Sequence, residues 1–260
     1  MAVKRALRYG VYALASLLGA AAFVAPLLRP PEGSAARADA PLLLTALLGL
    51  AFLALLLEAQ SGAGEARMMA LLGALVAVNA GLRFVENVIP GPGGFSPIFF
   101  LILVSGYVFG ARPGFLMGAL TMFVSALLTG GVGPWLPAQM LAAGWVGMSA
   151  PLARPLTAGR PRLALAWLTG LGIVWGFVYG ALLNLWFWPY AVGAPGQSWQ
   201  AGLGAAEVWR RYAAFYLATS LGWDALRAAG TAALMVVLGP ATLRVLSRFR
   251  ARTLFVHVHE

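Results

Sequence analysis

The sequence alternates long apolar runs with short polar segments that are rich in Gly and Pro. A helix needs about 20 mainly apolar residues to cross a hydrocarbon core of about 30 Å, whereas a membrane β-strand shows about 10 residues of alternating polarity. Here the runs are continuous and rich in Leu, Ala and Gly. The pattern therefore predicts an all-α polytopic helix bundle with eight membrane spans, at 9–28, 41–57, 68–88, 98–111, 113–128, 138–152, 163–188 and 212–238.

The first run has features of two kinds of segment. Lys4, Arg5 and Arg8 precede it, as basic residues precede the apolar centre of a secretory signal peptide. However, the run extends over about 20 residues, which is the length of a full membrane span. We expect a helix that the protein retains, with a signal peptide as the alternative.

Composition supports a membrane protein. Of the 260 residues, 61% are hydrophobic and 10% are charged, whereas soluble domains contain about 25% charged residues. The net charge is +10, but the basic residues lie at the ends of the spans and in short loops. This distribution is typical of membrane topology rather than of a nucleic-acid-binding surface.

The charge distribution also predicts an orientation. With eight crossings and a cytoplasmic N-terminus, twelve Lys and Arg residues fall on the cytoplasmic side and four on the outer side. Because cytoplasmic loops carry the excess of basic residues, both termini should be cytoplasmic. Three loops that are rich in Gly, Pro and Trp, 89–97, 130–137 and 190–209, then lie on the outer side.

The sequence offers little material for catalysis. It contains no Cys, and its two His residues, His257 and His259, lie near the C-terminus. We therefore expect no metal site and no bound cofactor. It also contains no Gly-rich loop followed by Lys and Ser or Thr, so that an ATPase would have to be a separate subunit.

Four charged residues are expected inside spans, where a charge costs about 2.5–3.5 kcal/mol on insertion scales. Asp224 and Arg227 are three residues apart on one helix face, which favours a structural ion pair; Asp224–Arg83 is the alternative pairing. Arg83 lies about 8 Å from the outer end of its helix at 1.5 Å per residue. Arg83 and Glu86 are candidates for the mouth of an outward-facing pocket.

Uncharged polar and aromatic residues are predicted at similar depth. Gln139 and Asn184 lie in the outer third of their spans, where they either join helices or contact a ligand. Aromatic residues at the outer ends, among them Trp135, Trp186 and Tyr190, form either an interfacial belt or a surface that stacks on a ligand.

Small residues recur at four-residue spacing in the third span. Ala70 and Ala74 form one such pair, and Gly73, Ala77 and Gly81 form a parallel stripe. Stripes of this kind allow another helix to approach closely.

From residue 68 onward the chain resembles the substrate-specific S components of energy-coupling factor (ECF) transporters. The resemblance lies in the helix with Ala70 and Ala74, in residues 94–148, and in the segments LLNLWFWPY and ATSLGWD. The segments TMFVS and GPWLPAQM resemble the subgroup that is associated with corrinoid uptake. The resemblance implies a six-helix core at 68–238, preceded by two additional transmembrane helices in 1–67 and followed by a basic cytoplasmic tail, 239–260.

The resemblance also implies a function. S components bind a vitamin from outside and dock on a membrane scaffold subunit that couples them to two cytoplasmic ATPases. By this likeness Ala70, Ala74 and Ala77 would form the docking face, and the substrate would be cobalamin or a corrinoid precursor. Depth and side predict the pocket residues: Arg83, Glu86, Phe95, Trp135, Gln139, Asn184, Trp186 and Tyr190. A self-sufficient secondary transporter for a small organic solute is the alternative function, and a membrane enzyme is less favoured because no catalytic cluster is present.

Overall fold

The computed structural model describes residues 2–28, 42, 45–46, 48–51, 63–88, 96–191, 194, 196–200 and 202–255. Within these residues every regular element is helical, which confirms the predicted all-α membrane bundle. The main helices are α1 (Ala2–Leu28), α2 (Ala63–Val88), α3 (Ile98–Phe109), α4 (Ala111–Thr129), α5 (Leu136–Ser149), α6 (Pro161–Phe187), α7 (Ala205–Thr219) and α8 (Leu221–Phe255). Phe95, His257, His259 and most of the predicted span 41–57 lie outside the described residues.

Four of the described helices are long and apolar enough to cross a membrane. These segments are Ala66–Val88, Ala111–Thr129, Pro161–Tyr190 and Leu221–Arg252. Two shorter apolar helices, Gly10–Ala21 and Ile98–Phe109, accompany them. The boundary between α3 and α4 lies at Gly110, whose φ of 110° favours a residue without a side chain.

The predicted last span, 212–238, is wrong in its bounds. Helix α7 ends at Thr219, and α8 begins at Leu221 and continues to Phe255. The membrane-crossing candidate therefore lies in α8, and this helix continues past residue 238 into the basic stretch that the sequence placed in a tail. The apolar run at 212–219 belongs instead to α7, whose first turns carry Glu207 and two arginines and so favour a polar environment over hydrocarbon.

Helices α3, α4 and α5 form the centre of the bundle, where their backbones approach closely. A Cβ atom at Gly106 or Gly114 would overlap the backbone carbonyl of Gly147, and one at Gly118 would overlap that of Ala143. Small residues at helix interfaces permit such contact. The core around them is fully buried and includes Ile102, Leu103, Leu116, Met117 and Leu141.

Four further helices, α1, α2, α6 and α8, pack around this centre. Helix α2 contacts α4, and α8 contacts α6 and α3. Helix α1 contacts α5, where Trp145 Nε1 donates a hydrogen bond to Ser16 Oγ at 3.1 Å. The N-terminal helix is thus part of the same packed bundle.

A small second hydrophobic cluster packs α7 against the C-terminal end of α6. Trp188 is completely buried, contacts the ring of Tyr212 at a centroid distance of 5.4 Å, and donates from Nε1 to the carbonyl oxygen of Gln197 at 2.6 Å. Phe215 completes the buried part of this cluster. Trp188, the last residue of the predicted seventh span 163–188, is therefore a core residue.

Candidate functional site

The inward face of α2 changes character along the helix. Leu72 and Val76 are buried among apolar residues in its first half, and Asn79, Arg83 and Glu86 follow on the same face in its second half. Residues three or four apart share a helix face. One end of α2 therefore presents a polar stripe to the bundle interior.

Asn79 connects α2 to the beginning of α3. Its side chain is fully buried, and Nδ2 donates to the carbonyl oxygen of Ile98 at 3.0 Å and to Thr121 Oγ1 at 3.4 Å. Asn79 Oδ1 has no hydrogen-bond partner among the described residues. Asn79 lies nine residues, or about 14 Å, before the last residue of α2. Its contact with Ile98 therefore places the beginning of α3 at that depth below the end of α2. Non-helical backbone at such depth is tolerated where it is buried in protein or lines a cavity.

Arg83 and Glu86 have unusual partners. Arg83 Nη1 lies 3.0 Å from the sulfur of Met122, and no carboxylate of the described residues lies within ion-pair distance of its guanidinium. Glu86 Oε2 accepts a hydrogen bond from Ser96 Oγ at 3.0 Å, beside the entry to α3. Both side chains are half-buried. Both predicted pocket residues therefore contact other helices or loops of the bundle and are not fully exposed on its surface.

The carboxylate of Asp224 is the centre of a second polar group, between α6, α7 and α8. It forms an ion pair with Arg227 and accepts a hydrogen bond from the hydroxyl of Tyr216 at 2.9 Å. Asp224 is buried, whereas Arg227 is half-buried and also donates to the carbonyl oxygen of Gly176 at 3.3 Å. The structure thus pairs Asp224 with Arg227 and not with Arg83.

Tyr179 of α6 lies between these two polar groups. The guanidinium of Arg227 stands over its ring at 5.5 Å from the centroid, and Arg83, Arg227 and Asp224 all act electrostatically on its hydroxyl. Glu86 in turn lies within electrostatic reach of Arg83 and Arg227. Residues that the sequence assigned to separate roles therefore form one group, which we call the polar cluster: Asn79, Arg83, Glu86, Tyr179, Asp224 and Arg227.

The other predicted pocket residues make different contacts. Asn184 donates to Ser220 Oγ, and the rings of Trp186 and Tyr190 meet at a centroid distance of 5.9 Å. Trp135 is 45% exposed and donates from Nε1 to the carbonyl oxygen of Gly131 at 3.1 Å. Within the described chain no hydrogen bond or ring contact joins these side chains to the polar cluster.

Gln139 is a further predicted pocket residue without a direct link to the polar cluster. Its side chain is half-buried near the beginning of α5. Its side-chain amide makes no hydrogen bond within the part of the chain that the structure describes. This amide is therefore available to a ligand or to water.

Two tyrosines of α7 are held in their protonated form. Burial, the hydrogen bond to Asp224 and the charge of that carboxylate raise the pKa of Tyr216 above its ordinary value. Burial and the charge of Asp224 raise the pKa of Tyr212 to about 12. Both hydroxyls act as donors, Tyr216 to Asp224 and Tyr212 to the carbonyl oxygen of Ala181, and their raised pKa values keep them protonated to a higher pH than an ordinary tyrosine.

The opposite face of α2 carries small residues, and no part of the chain that the structure describes covers it. Ala70, Ala74 and Ala77 are exposed there, together with Gly73. A Cβ atom added at Gly73 or Gly81 would meet no other atom within 4 Å. The helix thus has a polar stripe on the inside and a stripe of small residues on the outside.

The sequence analysis did not single out a row of glycines on α6 that lies against the polar cluster. Gly172, Gly176 and Gly180 follow at four-residue spacing, and Cβ atoms there would overlap Thr231, Ala228 and Asp224 of α8 respectively. This Gly-x-x-x-Gly-x-x-x-Gly pattern is a recognisable signal for close helix packing. Tyr179 and Tyr216 carried no such signal, because their polar contacts exist only once the helices are paired.

These features define a polytopic α-helical membrane protein with a polar cluster enclosed between its helices. Residues 67–239 match the family described as ECF transporter, substrate-specific component. The match covers well over half of the chain, and the protein therefore belongs to this family. No curated protein and no solved structure matches the chain significantly.

Family membership establishes the general role. The protein is a substrate-binding, non-catalytic subunit of an ECF transporter in the cytoplasmic membrane. Its partners are a small-molecule substrate, the transmembrane scaffold subunit and the ATPases of that transporter. This assignment is favoured over the alternative of a self-sufficient secondary transporter.

Proposed function

We propose that this subunit captures a vitamin from the outer side of the membrane, and that the vitamin is cobalamin or a corrinoid precursor. The observation that carries the proposal is the polar stripe of Asn79, Arg83 and Glu86 on the inward face of α2. Polar groups at this depth are expensive unless they face a partner or a cavity. In a substrate-binding subunit, a bound substrate is the partner that would satisfy these polar groups.

The pocket extends from the polar cluster toward the aromatic ends of α5 and α6. Its proposed ligand contacts are Arg83, Glu86, Phe95, Trp135, Gln139, Asn184, Trp186 and Tyr190. The half-buried amide of Gln139, which makes no hydrogen bond within the described residues, supports this extension, as do the rings of Trp186 and Tyr190, which contact each other. Ligand sites typically combine such apolar rings with a few polar groups. The corrinoid assignment follows from the resemblance of residues 121–125 and 133–140 to the corrinoid-associated subgroup.

Ala70, Ala74 and Ala77 are proposed to dock on the scaffold subunit. Their exposure on the outer face of α2 supports this role, because helices in a bilayer associate through small residues that permit close approach. The scaffold would connect the subunit to two cytoplasmic ATPases.

Both termini are proposed to be cytoplasmic, which places the C-terminal end of α2 and the N-terminal end of α8 on the outer side. The excess of basic residues on the opposite side supports this orientation. In α8 these include Arg244, Arg248 and Arg252, which are all exposed.

Ligand binding to the detergent-purified protein tests the proposal. The protein is incubated with a vitamin panel that includes cobalamin and cobinamide, and retained ligand is measured by native mass spectrometry and visible absorbance. Saturable retention of one corrinoid per chain is the expected result. Retention of a different vitamin would overturn the corrinoid assignment, and folded protein that retains no member of the panel would overturn the vitamin assignment.

A further inference from the structure

Arg83 differs from Arg227, the other arginine of the polar cluster, in its partners. Arg227 is paired with Asp224, whereas the described residues offer Arg83 a single acceptor, the sulfur of Met122. A thioether is a weak acceptor, and a guanidinium carries five N–H donors. Arg83 therefore keeps most of its donors and its charge available inside the bundle.

Two ordinary explanations for such an arginine fail here. Long basic side chains near helix ends often extend to the membrane surface, but the guanidinium of Arg83 contacts Met122, which is 2% exposed. Glu86 does not neutralise the charge of Arg83 through a direct ion pair either. No oxygen of Glu86 lies within ion-pair distance of Arg83, and the carboxylate accepts from Ser96 instead. Arg83 is thus directed into the bundle without a direct ionic partner among the described residues.

Two neighbouring groups also have unused hydrogen-bonding capacity. Asn79 lies one turn before Arg83 on the same face, is completely buried, and has an acceptor oxygen without a donor in the described structure. Tyr179 is within electrostatic reach of Arg83, and its hydroxyl makes no hydrogen bond within the described residues. Buried polar groups are nearly always hydrogen-bonded in native proteins. Within the described residues, a buried amide oxygen without a donor thus lies one helical turn from a guanidinium without an ionic partner, and a polar ligand would satisfy both groups.

We propose that Arg83 binds an oxyanion of the transported substrate, a carboxylate or a phosphate ester, and that Asn79 and Tyr179 hydrogen-bond to the polar groups beside it. The planar guanidinium fork matches two oxygens of either anion. The polar cluster contains two guanidinium groups and two carboxylates, so that its formal charges cancel. Selectivity for the anion therefore depends on the free donors of Arg83 and not on a net positive field.

This inference rests on the proposed function and narrows its substrate class. The phosphodiester of cobalamin is one such oxyanion, and cobinamide lacks that phosphodiester. Pantothenate and panthenol differ by a carboxylate, as do biotin and biotin amide, and pyridoxal phosphate and pyridoxal differ by a phosphate ester. Comparison within the pantothenate, biotin and pyridoxal pairs isolates the oxyanion from the rest of the ligand, and these pairs separate carboxylate from phosphate. Cobinamide lacks the ribose and base of cobalamin as well as its phosphodiester, so for the corrinoids the effect of Arg83→Gln on cobalamin affinity is the test.

Dissociation constants for both members of each pair, measured with the full-length protein in detergent, test the inference. In the pair that binds, we expect the oxyanion-bearing member to bind about 10- to 100-fold more tightly. Arg83→Gln should remove this preference by weakening the oxyanion-bearing member, while the neutral member binds within about threefold of its wild-type affinity. Arg83→Lys should keep part of the preference, because it retains the charge but loses the fork.

Arg211→Gln is the matched control. Arg211 is also a half-buried arginine, but it bonds to Glu207 in α7, away from the polar cluster. Its substitution should leave the preference unchanged. Size-exclusion profiles and thermal unfolding in detergent, compared with wild type, show independently whether the Arg83 variants are folded.

The outcomes separate this inference from the proposed function. Equal affinity of wild-type protein for both members of the pair that binds overturns the oxyanion site and leaves the vitamin-binding role intact. A preference that survives Arg83→Gln also overturns it, since another group must then hold the anion. If wild-type protein binds no member of any pair and no other vitamin, the proposed function fails and the oxyanion site fails with it.

Discussion

Gly180 of α6 provides the space that the carboxylate of Asp224 fills on α8. A Cβ atom at position 180 would overlap both carboxylate oxygens of Asp224. The same carboxylate accepts a hydrogen bond from the hydroxyl of Tyr216 and forms an ion pair with Arg227. The absence of one side chain on α6 therefore determines where three polar residues of α7 and α8 can meet.

Substitution Gly180→Ala should displace Asp224 and destabilise the protein by about 1–3 kcal/mol, the usual cost of overpacking a core. Thermal unfolding in detergent, followed by circular dichroism, measures the effect. Gly170→Ala on the same helix is the matched control, since no atom lies within 4 Å of a Cβ atom there. The control should be neutral or stabilise by up to about 1 kcal/mol, because Ala favours helix over Gly. Equal unfolding temperatures for the two variants would contradict the close contact.

Breaking the buried ion pair should be more costly. Asp224→Asn leaves Arg227 without its counterion and should destabilise by about 3–5 kcal/mol. Tyr216→Phe removes one hydrogen bond to the carboxylate and should cost about 1.5–3 kcal/mol. In a double-mutant cycle the two changes should couple by about 0.5–3 kcal/mol, because both act on one carboxylate. Strict additivity of the two changes would show that Tyr216 and Asp224 do not interact.

Alkaline pH should weaken the attachment of α7. The folded protein raises the pKa of Tyr212 from an ordinary value of 10 to about 12. The stability associated with this raised pKa is fully present below pH 10 and is lost as the pH rises through the folded-state pKa, because the unfolded state releases its proton first. We expect the unfolding temperature to fall between pH 10 and 12, by the equivalent of roughly 1–3 kcal/mol. Tyr212→Phe should reduce this fall, and an identical pH profile for the variant would contradict the assignment.

A larger residue on the exposed face of α2 should impair assembly without affecting ligand binding. Ala74→Leu puts a bulky side chain into the proposed helix–helix contact with the scaffold, where overpacking costs about 1–3 kcal/mol. Co-purification with the scaffold and ATPases should fall by about 5- to 100-fold. Val78→Leu is the control, because Val78 is 55% exposed on the same helix but outside the small-residue stripe. Wild-type levels of complex with Ala74→Leu would place the docking face elsewhere.

The apolar runs predicted most helices and the depth of several site residues. Arg83 and Glu86 could be located because a membrane span has a defined length, and a residue's distance from the helix end then gives its depth. The same reasoning failed for the last span. The apolar residues at 212–219 and those after Leu221 read as one continuous run, yet the chain changes direction at Ser220. No Pro or Gly marks that break directly, and the packing of Tyr212 and Phe215 on Trp188 accompanies it.

The sequence by itself determined that this chain spans the membrane as helices, because a bilayer requires every backbone polar group to be bonded within a helix or closed sheet. It also determined which face of α2 is polar and which is small, since side chains at three- and four-residue spacing share a face. The three-residue spacing also predicted the Asp224–Arg227 pair. Only the tertiary structure decided that Arg83 meets Met122 and that Gly180 leaves space for the carboxylate of Asp224. Those choices depend on which helices become neighbours and how closely their glycines let them approach, and residues 39 or 44 positions apart do not encode that distance locally.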